Sequence, residues 1–281
     1  MSAIQLSTTE ARAFSATMLR VAATPVRPCD RHASQTAADT LKLLSECLAP
    51  RRRVVHAGDV VYSAGERFEA LYVLNSGFFK MVNLAADGRE QVVSLKFRGD
   101  WLGFDGIAAS AYSCDAVAMD TGEVWVIRYD ELLAASVAHP ALLWALHAAM
   151  SREIGRDRDS LMSVCTLPAD ARVAEFLRSW ADSLAKSGLR SDQITLRLTR
   201  AEIGNYLGMT LETVSRALSK LERGAVIRFE EKGRRDIRIP CLEALGHFVQ
   251  RSLAAERPAA PRALPTARPP APSYSPALAA A

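Results

Sequence analysis

The chain has 281 residues, room for about two domains, and an ordinary globular composition of 49% hydrophobic and 23% charged residues. No run approaches the ~20 apolar residues needed to span a membrane, and MSAIQLSTTEARAFSATMLR lacks the basic start and apolar core of a secretory leader. The net charge is only +4, yet Arg197–Pro240 alone holds ten Lys/Arg against six Asp/Glu, a surplus equal to that of the whole chain; so local an excess points to a nucleic-acid face.

Residues 1–35 show no sustained period and are expected to be a flexible segment. TAADTLKLLSECLA, 36–49, reads as a short amphipathic helix with Leu41, Leu44 and Leu48 on one face. From Arg53 to Ile127 short apolar stretches alternate with glycines, among them Gly77, Gly88 and Gly99. That texture predicts several short strands in an all-β sandwich or barrel, with Ala86-Asp87-Gly88 as a hairpin turn. A first domain over 36–136 follows.

After His139-Pro140, ALLWALHAAMSREIGRDRDSLMSVCTL predicts one long helix, assigned with its approach to 137–166. A stripe runs through Leu143, Leu146, Met150, Ile154, Leu161 and Val164, with Asp157 filling its widest gap. Spacing near a coiled-coil seam predicts pairing with a second copy of the same helix, so these seven residues are expected at a dimer interface. Pro168 restarts the chain, and ADARVAEFLRSWADSLAKSG predicts a further amphipathic helix. A DNA-binding module is expected over 167–253, closing with a short helix at 242–253. Residues 254–281 are Ala/Pro-rich, with too few large apolar side chains to offset ordering, and predict a disordered tail.

Within that module Thr199 is placed to cap a helix from Arg200, with Ala201, Ile203, Tyr206 and Leu207 as its buried face. Gly208 allows a turn and Thr210 is the next cap, with Thr213 three residues on. The second helix is expected to bury Leu211, Val214, Leu218 and Leu221 and to present Glu212, Thr213, Ser215, Arg216, Ser219 and Lys220. This is a helix-turn-helix, whose second helix enters the major groove by its N-terminal residues. Glu212, Ser215 and Arg216 share the face of its first two turns. A carboxylate accepts from cytosine N4 and an arginine bridges guanine O6 and N7, so these three are the expected base readers. Glu212 also lies four residues from Arg216, a spacing that allows a supporting ion pair. Thr199, Thr210, Thr213, Ser219, Lys220, Arg223, Arg234 and Arg235 are the expected backbone contacts, joined by Arg228 and Lys232 in the sequence-blind attraction. AVIRFEEKGRRDIRIP predicts a basic strand–turn–strand wing beside the helices.

The order of these pieces resembles the CRP/FNR family of bacterial transcription regulators over about residues 50–245. AGDVVYSAGERFEALYVLNSGFFKM and GDWLGFDGIA are similar to the roll of the FNR branch, and TRAEIGNYLGMTLETVSRALSKLE to its reader. The resemblance implies an α+β fold: an N-terminal β-roll of the cyclic-nucleotide-binding jelly-roll kind, a long dimerisation helix and a C-terminal winged helix-turn-helix. It implies that Glu212, Ser215 and Arg216 read TTGAT half-sites in an inverted repeat. Leu211 stands where the cAMP-responsive branch has an arginine, which argues against a TGTGA preference. It further implies contact between the roll and RNA polymerase, with the Asp87–Arg89 turn resembling a loop so used, and control of low-oxygen or nitrogen-oxide genes.

No cofactor is expected. GDWLGFD and SAYSCDA lack the phosphate-binding glutamate and arginine of cAMP-responsive members, and no arginine lies between Arg98 and Arg128. An iron–sulfur cluster of the FNR kind needs four cysteines, three of them close together near the N-terminus; here only Cys29 precedes Cys47, and Trp125 stands where the roll would supply the fourth. The spacings of the five cysteines form no disulfide framework, which fits a reducing cytoplasm, and Cys47, Cys114, Cys165 and Cys241 read as small, partly buried apolar residues. Cys29 is a candidate reactive thiol. His56, His139, His147 and His247 carry no haem signature. Asp157 has two readings: a carboxylate repelling its twin across a dimer axis, as the resemblance implies, or a solvated group at the stripe's edge, with Arg156 and Arg158 beside it. No nucleophile–base pair, HExxH or GxxxxGKS/T run is present, so an enzyme is not expected. The expected protein is a homodimeric regulator of double-stranded DNA with RNA polymerase as a further partner and no membrane; the alternative is a regulator whose roll binds a cyclic nucleotide or other small effector.

Overall fold

Strand β3 (Ala70–Ser76) shows how the first domain is built. Its residues Ala70 to Leu74 are all buried, because the strand is covered on both faces. Ala70, Tyr72 and Leu74 point into the core between two sheets, while Leu71 and Val73 point outward beneath helices. The structure, a computed structural model, describes residues 36–84, 88–230 and 235–256. The expected segment 1–35 with Cys29, the turn residue Asp87, Lys232, Arg234 and most of the expected tail lie outside these.

One sheet has the order β1 (Arg51–Val55), β8 (Gly122–Arg128), β3, β6 (Trp101–Leu102). The other has the order β2 (Val60–Tyr62), β7 (Asp115–Ala118), β4 (Phe79–Leu84), β5 (Glu90–Lys96), and every pairing is antiparallel. Between the sheets Tyr62 stacks on Tyr112 with ring centroids 3.9 Å apart. This is the expected roll. Helix α1 (Ala37–Cys47) buries Leu41 and Leu44 against its outer face, and α2 (Gly106–Ala109) is a single turn.

Helices α3 (Tyr129–Ala138) and α4 (Pro140–Thr166) meet at His139, so the expected boundary at 137 falls three residues early. The first half of α4 packs on the roll through Leu142, Ala145, Leu146 and Ala149, a stripe at helical spacing over Leu71, Trp101 and Trp125. This corrects the expected interface: Leu146 is 3% exposed and belongs to the chain's own core, with Met150 half-buried against it. Beyond Ala149 the inward stripe ends. Ile154, Leu161 and Met162 are 50%, 63% and 58% exposed, and Leu143 and Val164 are also exposed. Among the described residues nothing covers Leu161 and Met162 as a core would, and large apolar groups so placed mark an association surface.

The second module holds α5 (Ala169–Lys186), α6 (Arg200–Leu207), α7 (Leu211–Arg223) and α8 (Leu242–Glu256). A three-stranded sheet of order β10 (Arg228–Phe229), β11 (Asp236–Arg238), β9 (Gln193–Thr195) forms the expected wing with one further strand, β9. α8 runs three residues into the stretch expected to be tail, because Leu253 extends the stripe of buried Leu245 and Val249. Trp180 of α5 ties the modules together: it packs edge-on to Phe97 and stacks on Phe78, both from the roll, at 5.5 and 6.1 Å between centroids.

The cysteines differ from expectation. Cys114 is buried and Cys47 half-buried, but Cys165 and Cys241 are exposed. Burial pushes the Cys114 thiol up to about 12, and the Asp105 carboxylate, 3.6 Å from its Sγ, adds to the shift. Alkylation of the native protein at neutral pH, followed by mass spectrometry, is expected to modify Cys165 and Cys241 well before Cys114; equal rates would contradict this burial.

Candidate nucleic-acid interface

Helix α6 begins with a reciprocal cap. The Thr199 hydroxyl accepts from the Glu202 N–H at 3.2 Å, and the Glu202 carboxylate accepts from the Thr199 N–H at 2.7 Å. The helix ends on Gly208, whose φ of +65° is the left-handed conformation that favours glycine. Arg172 of α5 donates from Nη1 to the Leu207 carbonyl at 2.8 Å, a cation on carbonyls that the helix end leaves without a partner. Gly204 lies so close to the turn that an added Cβ would stand 2.6 Å from the Met209 carbonyl oxygen. The expected inner face is corrected at one place: Ile203, Gly204 and Leu207 are buried, while Ala201 is exposed.

Helix α7 starts at the expected cap, with the Thr213 N–H donating to the Thr210 hydroxyl at 3.3 Å. Val214, Ala217, Leu218 and Leu221 are buried, whereas Leu211, expected inside, is 45% exposed. It occupies the first turn, before the helix has reached the core. The opposite face shows Glu212 and Arg216 exposed and Ser215 half-buried. A hydrogen bond from its own N–H, then one from the Thr210 hydroxyl, hold the Glu212 carboxyl below the usual carboxylate range, and the Arg216 charge adds to this. Glu212 and Arg216 make no ion pair within 4 Å, so the expected direct pairing is absent between these two residues. An ionised Glu212 only accepts hydrogen bonds, and Arg216, with no ion-pair partner among the described residues, has its fork of donors to offer.

Ser215 borders a groove of about 320 Å³ between the helices and the wing, lined also by Thr199, Arg200, Phe229 and Arg235. The Arg200 guanidinium sits 5.8 Å from the Phe229 ring centre. Of the expected backbone contacts, Thr199, Thr210, Arg223 and Arg235 are exposed and Thr213 and Ser219 half-buried. Lys220 is exposed as well, with its ammonium paired with Asp170 at the start of α5 and 6.0 Å from the Phe248 ring centre. Its side chain stays 54% exposed, so this surface pairing leaves the expected role of Lys220 open. Sequence reading missed Arg200, Arg172 and two further residues that hold α6 against the roll. Lys80 of β4 meets Glu202 at 2.5 Å, and Asn205 bonds to β5 through both atoms of its carboxamide. Only the helix-start position of Arg200 carried a local signal.

The roll, α4 and α6 line an open cleft of about 440 Å³. Its lining includes Lys96, Asp105, Glu153, Asp157 and Tyr206. Lys96 is 2% exposed and its ammonium lies 2.6 Å from Glu153, so its charge is already matched. Among the lining residues no arginine is present, and Asp105 and Asp157 add negative charge, a poor fit to a cyclic phosphate. Arg156 turns from its neighbour Asp157 to Asp100 at 2.8 Å, and does not neutralise Asp157 by pairing. Among the described residues no three His, Cys, Asp or Glu side chains are grouped to hold a metal, so the fourfold thiolate set of a cluster is not assembled from them. His56, His139, His147 and His247 are all exposed. No helix among the described residues is long and apolar enough to cross a membrane.

A roll joined through a long helix to a winged helix-turn-helix with an open reading face defines a DNA-binding transcription regulator. The family models agree: a cyclic nucleotide-binding domain matches residues 52–138 and a Crp-like helix-turn-helix domain matches residues 171–248. The transcriptional regulatory protein btr of Bordetella pertussis is 35% identical over 208 residues, 74% of this chain and 86% of its own. The fumarate and nitrate reduction regulatory protein of Yersinia pestis is 31% identical over 182 residues, covering 65% and 73% of the two chains. The solved structure of FixK2 from Bradyrhizobium japonicum matches 72% of this chain and 98% of its own, with a TM-score of 0.64 and 26% identity. The chain belongs to the CRP/FNR family of transcription regulators.

Gly204 supplies a test of the helix-turn-helix geometry. Alanine there gains about 1 kcal/mol of helix propensity, but forcing a methyl group against backbone costs about 1–3 kcal/mol. The backbone carbonyl at 2.6 Å cannot swing aside as a side chain would, so Gly204→Ala is expected to be destabilising. Urea denaturation measures this; a more stable variant would contradict the close approach.

Proposed function

We propose that the protein binds DNA as a homodimer and reads an inverted repeat of TTGAT-type half-sites with Glu212, Ser215 and Arg216. The observation that carries this reading is the presentation of a carboxylate acceptor and an exposed guanidinium on one face of a helix whose other face is buried. Such a pair complements the donors and acceptors of base edges in the major groove. Thr199, Thr210, Thr213, Ser219, Lys220, Arg223, Arg234 and Arg235, with Arg200 added, are the proposed backbone contacts. Leu143, Ile154, Asp157, Leu161 and Val164 of α4, with Met162, are the proposed dimer face, the exposed apolar positions beyond Ala149 supporting it. Two reading helices would then enter successive major grooves roughly 34 Å apart.

Contact with RNA polymerase through the roll, and control of low-oxygen or nitrogen-oxide genes, complete the proposal. The description of the Yersinia pestis relative as a fumarate and nitrate reduction regulator supports the respiratory part. The protein is proposed to act without haem, an iron–sulfur cluster or a cyclic nucleotide. The paired Lys96 and the surplus carboxylates Asp105 and Asp157 lining the roll cleft support the last of these, and calorimetry with cAMP and cGMP is expected to give no heat; saturable heat would favour an effector-binding roll.

Fluorescence anisotropy on cognate and point-substituted duplexes tests the readers. Arg216→Ala is expected to cost about 1–3 kcal/mol on the cognate repeat and to relax discrimination at one base pair per half-site. Glu212→Ala is expected to lose discrimination while binding scrambled DNA as well as the parent or better, because a carboxylate facing phosphates has been removed. Arg235→Ala is expected to weaken all duplexes alike and reduce the salt slope by about 1. Uniform weakening by Arg216→Ala across every sequence would overturn its assignment as a base reader.

A further inference from the structure

Beside the Trp180 packing and the Arg197–Asp120 ion pair at 3.1 Å, the roll grips helix α6 directly. Strand β5 is the edge of its sheet, so the outward backbone groups of Glu90 and Val92, two residues apart, are those a further strand would pair with. Asn205 takes that place. Its carboxamide oxygen accepts from the Val92 N–H at 2.6 Å, and its amide nitrogen donates to the Glu90 carbonyl at 2.6 Å. One side chain thus does for the sheet edge what a peptide group of a neighbouring strand would do. Gln91 returns the contact, donating from Nε2 to the Asn205 carbonyl at 2.6 Å. One turn earlier, Lys80 meets Glu202 at 2.5 Å, with side chains 16% and 30% exposed. Burial alone would raise the Glu202 carboxyl; Lys80 and the Thr199 N–H and hydroxyl outweigh it and hold the group below its ordinary range. Glu202 therefore closes the cap of α6 and anchors that helix to the roll at the same time.

The same roll is fixed to α4 by Lys96–Glu153 at 2.6 Å and Arg156–Asp100 at 2.8 Å. Polar links thus run from the long helix to the roll and from the roll to α6, in parallel with the covalent route through Leu167 and Pro168. These contacts fall on α6, while Glu212 and Arg216 of α7 stay exposed. The grip leaves the reading face open and fixes its direction.

We propose that Lys80, Gln91 and Asn205 are positioning residues that set the half-site spacing the dimer accepts. This rests on the reading of residues 200–223 as the DNA-reading unit of a dimer. Two heads held rigidly to a common axis engage both half-sites only when these lie at the matching separation. A slack head samples more separations and gains less at the best one, because the effective concentration of the second head falls.

The experiment uses the full chain. Parent, Lys80→Met, Gln91→Ala, the double variant, Asn205→Ala and the rescue variant Lys80→Arg are titrated against the half-site that the parent selects. The duplexes carry it singly and as inverted repeats with the spacer lengthened or shortened by one or two base pairs. The parent is expected to lose on the order of tenfold in affinity per base pair of misfit, and the double variant less than about threefold. The double variant touches only the roll, so its single half-site affinity should match the parent's, and Lys80→Arg should restore the spacing profile. In parallel, spin labels on the roll and on α7 report the distance distribution without DNA: narrow in the parent, broadened in the double variant and in Asn205→Ala. An unchanged spacing profile, or an unchanged distance distribution, would overturn the latch. A parent with no half-site preference would instead overturn the DNA reading and leave the distance measurement to judge the latch. Thermal unfolding checks that each variant is folded, and Gln91→Ala, at an exposed position, serves if Lys80→Met is not.

Discussion

Burial of one side of α7 is the constraint on which the functional reading depends. Val214, Ala217, Leu218 and Leu221 are each at most 2% exposed, in a core shared with α5, α6, the wing and α8. Side chains of this kind each stabilise the fold by about 1.5–3 kcal/mol when buried (less for alanine). Rotating the helix by one residue would bring Ser215 or Arg216 inward, and burying an unpaired charge costs several kcal/mol. Packing therefore decides which residues face outward. The reading face is the remainder, held in direction as firmly as the core is held together.

Two carboxylates near helix starts illustrate how placement decides use. Glu202 and Glu212 both lie in first turns, where the helix dipole favours negative charge. Glu202 is drawn into the structure by a cap and by Lys80, and its charge is matched. Glu212 receives only local hydrogen bonds and stays exposed, so its accepting capacity points away from the protein. A carboxylate aimed at a polyanion repels every duplex and is compensated only where a base amino group meets it. That selectivity by penalty is what the basic excess of the module has to offset.

Much of this was legible in the sequence because it is local. Thr199, Gly208 and Thr210 announce the two caps and the turn, and the alternating short strands announce the roll. Errors arose where a second partner decides the outcome. Leu146 lies on a helix stripe that fits a dimer seam equally well, but the roll claims that turn of α4 first. Leu211 and Ala201 have apolar side chains in first turns, outside the reach of the core. The grip of the roll on α6 spans more than a hundred residues of sequence, from Lys80 to Glu202 and from Glu90 to Asn205. No periodicity records such a pairing. The extension of α8 to Glu256 was readable from Leu245, Val249 and Leu253, and the nearby prolines masked it.

The central claim is that an ionised acceptor and a guanidinium, fixed on one helix face and repeated by a two-fold partner, select a particular duplex. Selection of binding sites from a random pool with the purified full-length chain tests it most directly, run in air and without it. The account predicts enrichment of an inverted repeat of TTGAT-type half-sites at a single separation. A pool that emerges unenriched under both atmospheres, or enriched only in single unpaired sites, would contradict it.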